Sequence, residues 1–168
     1  ETITLSHINQ KYFPNIRLNP ELKATSDQNV LKDAGLVFIA LPSVVVVEYL
    51  KGIKHLLPEN AILVNLAKGF GCDDQIISAC LAKHLPNPVC ALKGPSFARE
   101  IINNSPTAFT LASTNDEIGM LIEPIFAETN IFIDTTSDLF GVEIISILKN
   151  IYAILIGIVD AHFNSPNL

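Results

Sequence analysis

The sequence predicts an α/β fold with a mostly parallel sheet, and three observations carry that prediction. Five short β-rich runs are apolar from end to end rather than alternating, as strands covered on both faces are. Helix-length segments separate them, so the chain reads as successive strand–helix–strand units. Proline, serine and acidic residues punctuate the joints. The 168 residues suit one domain, or one domain plus part of another.

The elements follow in order. Residues 1–35 are polar, with Asn-, Pro- and Lys-rich loops in KYFPNIRLNPELKATSD. The strand runs are LVFIAL (36–41), AILVNLA (61–67), PVCALK (88–93), TAFTLAS (107–113) and NIFIDT (130–135). Segments 43–56, 73–84, 96–103 and 115–127 lie between them and read as helices, the third of them short. Pro42-Ser43 follows the first run and Pro58-Glu59-Asn60 precedes the second. Asp73-Asp74 opens a predicted helix that Pro86-Asn87-Pro88 closes. After residue 136 the pattern changes. Ser137 or Asp138 can cap one helix running to about Asp160. That helix is apolar on nearly every side, so burial is expected, although nothing in the chain is obviously left to bury it.

Composition narrows the function. Hydrophobic residues make up 49% and charged residues 17%, enough for a large core and far from disorder. A net charge of -6 with no basic cluster argues against nucleic acid. No uninterrupted apolar run reaches the ~18 residues of a membrane span, because Glu143, Lys149 and Asn150 break the best candidate. ETITLSHINQ has neither a basic nor an apolar leader region, so no signal peptide is expected. Cys72, Cys80 and Cys90 form no CxxC pattern and read as idle or buried thiols of a reducing, cytoplasmic compartment. His7, His55, His84 and His162 lack metal-ligand spacing, so no metal is expected. Asn103-Asn104-Ser105 matches a glycosylation acceptor, which carries no weight in a cytosolic protein.

Three short motifs can carry chemistry. Ala67-Lys68-Gly69 follows an apolar strand, and ligands of open α/β sheets bind beyond the carboxyl ends of strands. A solvent lysine in a turn is the equal alternative. Lys93-Gly94-Pro95-Ser96-Phe97-Ala98 follows another strand. Its glycine permits close backbone approach, and the N–H groups after it can hold an anion, or it is an ordinary strand-to-helix turn. Lys149-Asn150 sits within GVEIISILKNIYAILIGIVD. A lysine there is either a snorkelling side chain, the commoner case, or a proton donor with a lowered pKa.

Taken together, in order and spacing, these motifs resemble the bacterial NAD(P)-dependent glycerol-3-phosphate dehydrogenases. The resemblance runs through KYFPNIRLNPELKATSD, LVFIALPS, LAKGF, LKGPSFARE, SPTAFTLAS and GVEIISILKNIYAILIGIVD, essentially the whole chain. It implies an incomplete doubly wound, Rossmann-like sheet at 1–136. It implies that 137–168 begin a helical substrate domain.

The resemblance also implies roles. Lys149 is the catalytic lysine, donating a proton to the C2 carbonyl oxygen of dihydroxyacetone phosphate during reduction by NADH or NADPH. Lys68 contacts both substrate and cofactor. Gly94 and Ser96 contact substrate, Ala98 contacts the cofactor, and Asn150 orients its neighbours at the substrate. Two converging lysines would lower each other's pKa. The product, sn-glycerol 3-phosphate, would feed phospholipid synthesis.

Departures from the family pattern are also visible. No GxGxxG occurs among the glycines at 35, 52, 69, 71, 94, 119, 141 and 157. The pyrophosphate-binding unit and most of the helical domain are therefore expected to be missing, and turnover by the chain alone is expected to be low. Ile144-Ile145-Ser146 stand where the family usually has small residues, which would narrow the site. Two further readings stay open. One is a degenerate, non-catalytic paralogue that binds a partner through its apolar helix. The other is a related dehydrogenase of a different hydroxy acid. An unpartnered apolar helix is also expected to form a homodimer across a two-fold axis or to make the chain aggregate.

Overall fold

The computed structural model describes residues 2–163. A short helix α1 (Thr2–Ser6) leads into an antiparallel hairpin of β1 (Ile8–Asn9) and β2 (Phe13–Arg17). A 3-10 turn over Gln28–Asp33 follows, capped by the Asp27 carboxylate. The body of the fold is β3 (Leu36–Ile39), α2 (Ser43–Ile53), β4 (Ile62–Asn65), α3 (Ile77–His84), β5 (Val89–Lys93), α4 (Ala98–Ile102), β6 (Thr107–Ala112), α5 (Asp116–Ile122) and β7 (Ile131–Thr136). The long helix α6 (Leu139–Phe163) closes it.

The five strands from β3 to β7 lie side by side in chain order. β3, β4 and β5 are parallel, and β6 and β7 are parallel to each other. β5 and β6 are antiparallel, so the strand–helix–strand reading fails at this one joint. The segment between them carries only the five-residue α4. The sheet is mostly parallel, as predicted.

The apolar strand runs are explained by burial on two faces. Leu63 joins a cluster with Ile39, Val46, Val47, Leu50, Ile77 and Leu81. Its neighbour Val64 joins Cys90, Leu92, Leu111, Ile118 and Ile122 on the other face. Successive strand residues point to opposite faces, so both must be apolar. Truncation of Leu63 to alanine would cost about 2–5 kcal/mol. Helix α2 forms despite four consecutive valines, a run of low helix propensity. Val46, Val47, Leu50 and Ile53 are its buried stripe, and their packing overrides propensity.

Two local features differ from the sequence reading. Asp73 and Asp74 do not open a helix. Both have positive φ (50° and 56°), and they form a turn closed by Gly71 N–H donating to the Gln75 carbonyl. The helix starts at Ile77. The second difference concerns the thiols: Cys72 in this turn is disulfide-bonded to Cys80 on α3, and Cys90 alone is free and buried.

Helix α6 departs from expectation. Asp138 is its cap, its carboxylate accepting from Gly141 N–H at 2.8 Å. Expected to be buried, the helix is mostly exposed: Ile151, Ile154, Leu155 and Ile158 all face outward. Among the described residues its buried members are polar, Glu143 and Ser146. By length and composition alone Leu139–His162 is apolar enough to cross a membrane, but its first turns are docked on β5 and β6 of the sheet.

Candidate functional site

The site forms where β4, β5 and α6 meet. β4 ends at Asn65, which is fully buried, and its side-chain oxygen accepts from Ala67 N–H at 3.0 Å. That bond bends the chain outward, so Lys68 leaves the carboxyl edge of the sheet as an exposed side chain. Gly69 follows because a side chain does not fit: a Cβ there would stand 2.2 Å from the Ser43 hydroxyl oxygen. β5 ends at Lys93, and Gly94 lies directly against β6. A Cβ on Gly94 would stand 2.5 Å from the Ala108 carbonyl oxygen.

α6 brings the third component. Glu143 is 2% exposed, and its carboxylate is fully engaged. Oε2 accepts from the Ser78 backbone N–H at 3.1 Å and the Ser78 hydroxyl at 3.0 Å, in the first turn of α3, where free N–H groups favour a negative charge. Oε1 accepts from the Asn65 amide and lies 4.0 Å from the Lys93 ammonium. Lys93, 5% exposed, also donates to the Ala67 carbonyl.

Above this buried layer is a cavity of about 290 Å³. Lys68, Lys93 and Lys149 line it, with Gly94, Pro95 and Thr110 at one side and Val142, Ile145 and Ser146 of α6 at the other. The chain carries 11 Lys and Arg residues against 17 acidic ones, so three lysines in one cavity make a local positive site on an acidic protein. Such a site suits a small anion. Partial desolvation in the cavity lowers the Lys68 pKa from its ordinary value, and repulsion from Lys149 adds to it. Lys93 is pushed down to about 8, chiefly by burial and further by Lys68, with Glu143 opposing.

The structure brings Lys68, Gly94 and Lys149 together in the lining of one cavity. Ser96 and Ala98 lie on the segment just beyond, outside the lining of this cavity, and Asn150 is exposed on α6. Ile145 and Ser146 wall the cavity, where the sequence expected narrowing. Sequence reasoning missed Asn65, Glu143 and the partnership of Lys93. The usable signal was a charge at the end of an apolar strand and another inside an apolar helix, since buried charges require partners.

Residues 1–119 match the family model described as NAD-dependent glycerol-3-phosphate dehydrogenase N-terminus. The chain belongs to this family. A glycerol-3-phosphate dehydrogenase (NAD(P)+) of Halothermothrix orenii is 35% identical over 95% of the chain and 48% of its own length. The chloroplastic NAD(+) glycerol-3-phosphate dehydrogenase 2 of Arabidopsis thaliana is 37% identical over 95% of the chain and 39% of its own length. Among solved structures, the glycerol-3-phosphate dehydrogenase of Coxiella burnetii superposes with a TM-score of 0.90 at 28% identity, covering 98% of this chain and 51% of that one. The chain spans about half the length of the curated relatives it matches. The α/β fold and NAD(P)-dependent oxidoreductase family of this glycerol-3-phosphate dehydrogenase homologue are thus established.

Proposed function

We propose that this glycerol-3-phosphate dehydrogenase homologue supplies the lysine pocket for interconversion of dihydroxyacetone phosphate and sn-glycerol 3-phosphate, the latter a precursor of phospholipids. One observation carries the reading: Lys68 from the β4 edge and Lys149 from α6, distant in sequence, share one cavity floored by Gly94. Nicotinamide, when bound, supplies the hydride that reduces C2. Lys68, at the carboxyl edge of a Rossmann-like sheet, fits an anionic cofactor by charge and position, and Ala98 would add a backbone contact. Lys149 donates a proton to the C2 oxygen as charge develops there, and accepts it in the reverse direction. Lys68 binds substrate oxygen and keeps the cavity cationic. Gly94 allows a ligand to approach the backbone. The phosphate dianion is drawn by the same charge.

The chain contains no GxGxxG, so low turnover by these residues alone is part of the proposal, and the test reads binding. Calorimetry with dihydroxyacetone phosphate, with and without NADH, is run on the chain and on Lys149→Met. Heat of binding that disappears in the variant supports the reading. Equal binding by both proteins, or preference for an unphosphorylated hydroxy acid, overturns it.

A second reading is favoured by the outward-facing Ile151, Ile154, Leu155 and Ile158 of α6: a homodimer packed through this helix. Sedimentation equilibrium giving a dimer supports it, and a monomer at high concentration removes it.

A further inference from the structure

Lys93 is costly where it stands. A buried ammonium loses its hydration, and an apolar side chain of similar length would fill the same space without that loss. Its contacts show what the charge gains. The Ala67 carbonyl that accepts from it belongs to the residue just before Lys68. The Glu143 carboxylate, 4.0 Å away, belongs to the helix that carries Lys149. Glu143 is in turn held by Ser78 and Asn65.

We propose that Lys93 is a positioning residue of the lysine pocket, its ammonium tying the Lys68 segment to α6 so that Lys68 and Lys149 present their cations to one cavity. The inference rests on the pocket proposed above as the substrate site. The charged groups that line or adjoin the cavity with Lys93 are Lys68 from the β4 edge, and Glu143 and Lys149 from α6. Glu143 carries one negative charge among three lysines. Removing Lys93 leaves Glu143 without its cation and unties the Ala67 carbonyl from α6. The Coulomb interaction between Lys93 and Lys68 already contributes to holding the Lys93 ammonium down to about 8.

The experiment uses the whole chain labelled at lysine side chains, with each Nζ titration followed by NMR. No substrate is needed, so the outcome is independent of whether dihydroxyacetone phosphate binds. In Lys93→Met the Lys68 and Lys149 Nζ signals are expected to move at pH 7, where Lys93 is charged in the parent chain, because the tie between the Lys68 segment and α6 is lost. A Lys93→Met chain that is merely less stable, with both lysine signals unmoved at pH 7, overturns the proposal. If Lys93→Met fails to fold, Glu143→Gln decides. It keeps the size of the side chain, and the Lys93 midpoint is expected to fall below about 8. An unmoved Lys93 midpoint overturns the proposal. If Lys68 responds to Lys93→Met while dihydroxyacetone phosphate binds neither protein, the positioning role stands and the substrate reading falls.

Discussion

The Lys149 ammonium lies 5.5 Å from the centroid of the Phe97 ring. Phe97 sits just before α4, in the segment that leaves β5, so this contact joins the helix of one motif to the loop of another. The ring is 64% exposed and contributes little to the core. Its face attracts the cation and limits where the long side chain of Lys149 can go. Phe97→Ala is expected to remove about 0.5–1 kcal/mol of this attraction and to release the Lys149 side chain, moving its Nζ signal in NMR. Spectra of the two chains labelled at lysine measure it, and an unmoved Lys149 signal would show that the ring plays no part.

Gly94→Ala tests how tightly the cavity floor is built. The added Cβ would stand 2.5 Å from the Ala108 carbonyl oxygen and 3.2 Å from the Phe109 Cα, both backbone atoms of β6. Backbone paired in a sheet cannot give way cheaply, so a loss of about 1–3 kcal/mol is expected. A urea denaturation midpoint unchanged from wild type would contradict the close approach.

Lys93 makes stability depend on pH in a stated direction. Its folded pKa is about 8, below the ordinary 10.5 of an unfolded chain. Between these values the unfolded state binds more protons, so stability rises with pH through that window. Below it both states are protonated and the destabilisation is fully present, and above it the destabilisation is gone. The slope is at most on the order of 1 kcal/mol per pH unit. Lys93→Met should lack this contribution, while other titrating lysines remain in both proteins. Denaturation at pH 7, 9 and 10 compares them, and parallel pH dependences would refute the shift.

The thiols give a chemical test. Cys72 and Cys80 are bonded, and Cys90 is fully buried with its thiol pushed up to about 12 by burial. The thiolate is the reactive form, so iodoacetamide at pH 8 should leave the native, unreduced chain almost unmodified. Prior reduction should open the half-buried Cys72 to alkylation, read as one added label, while Cys80, as fully buried as Cys90, stays protected. Modification of that pair without reductant would show that it is open.

Glu143→Ala separates a pair from its parts. The change would leave Lys93 without its carboxylate and the Ser78 hydroxyl and Asn65 amide without an acceptor. Breaking a buried pair from one side costs about 3–5 kcal/mol. Double replacement of Glu143 and Lys93 by apolar residues should cost less than that single change, because no charge is stranded. Denaturant midpoints of the variants decide it.

Much of the fold was legible in the sequence. The runs 36–41, 61–67, 88–93, 107–113 and 130–135 each contain an observed strand or all but its last residue, because a continuous apolar run is a local property. The reversed direction of β6 was not legible, since it depends on how a short connection packs. Nor was the turn at Asp73-Asp74, where acidic residues that suit a helix start adopt positive φ instead. The exposure of α6 was misjudged because composition measures how apolar a helix is, and not what lies beside it.

The sequence by itself determined the alternation of strands and helices, the order of the Lys68, Gly94 and Lys149 motifs, and through them the family. All of these are written in neighbouring residues. Only the tertiary structure decided that Lys93 belongs with Glu143, 50 positions away, and that Asn65 and Ser78 complete the network. It also decided that Lys149 meets Phe97. A charge within an apolar run announces that a partner exists. Which partner it is depends on distance in space, and that distance is set only when the strands are packed and α6 is laid across them.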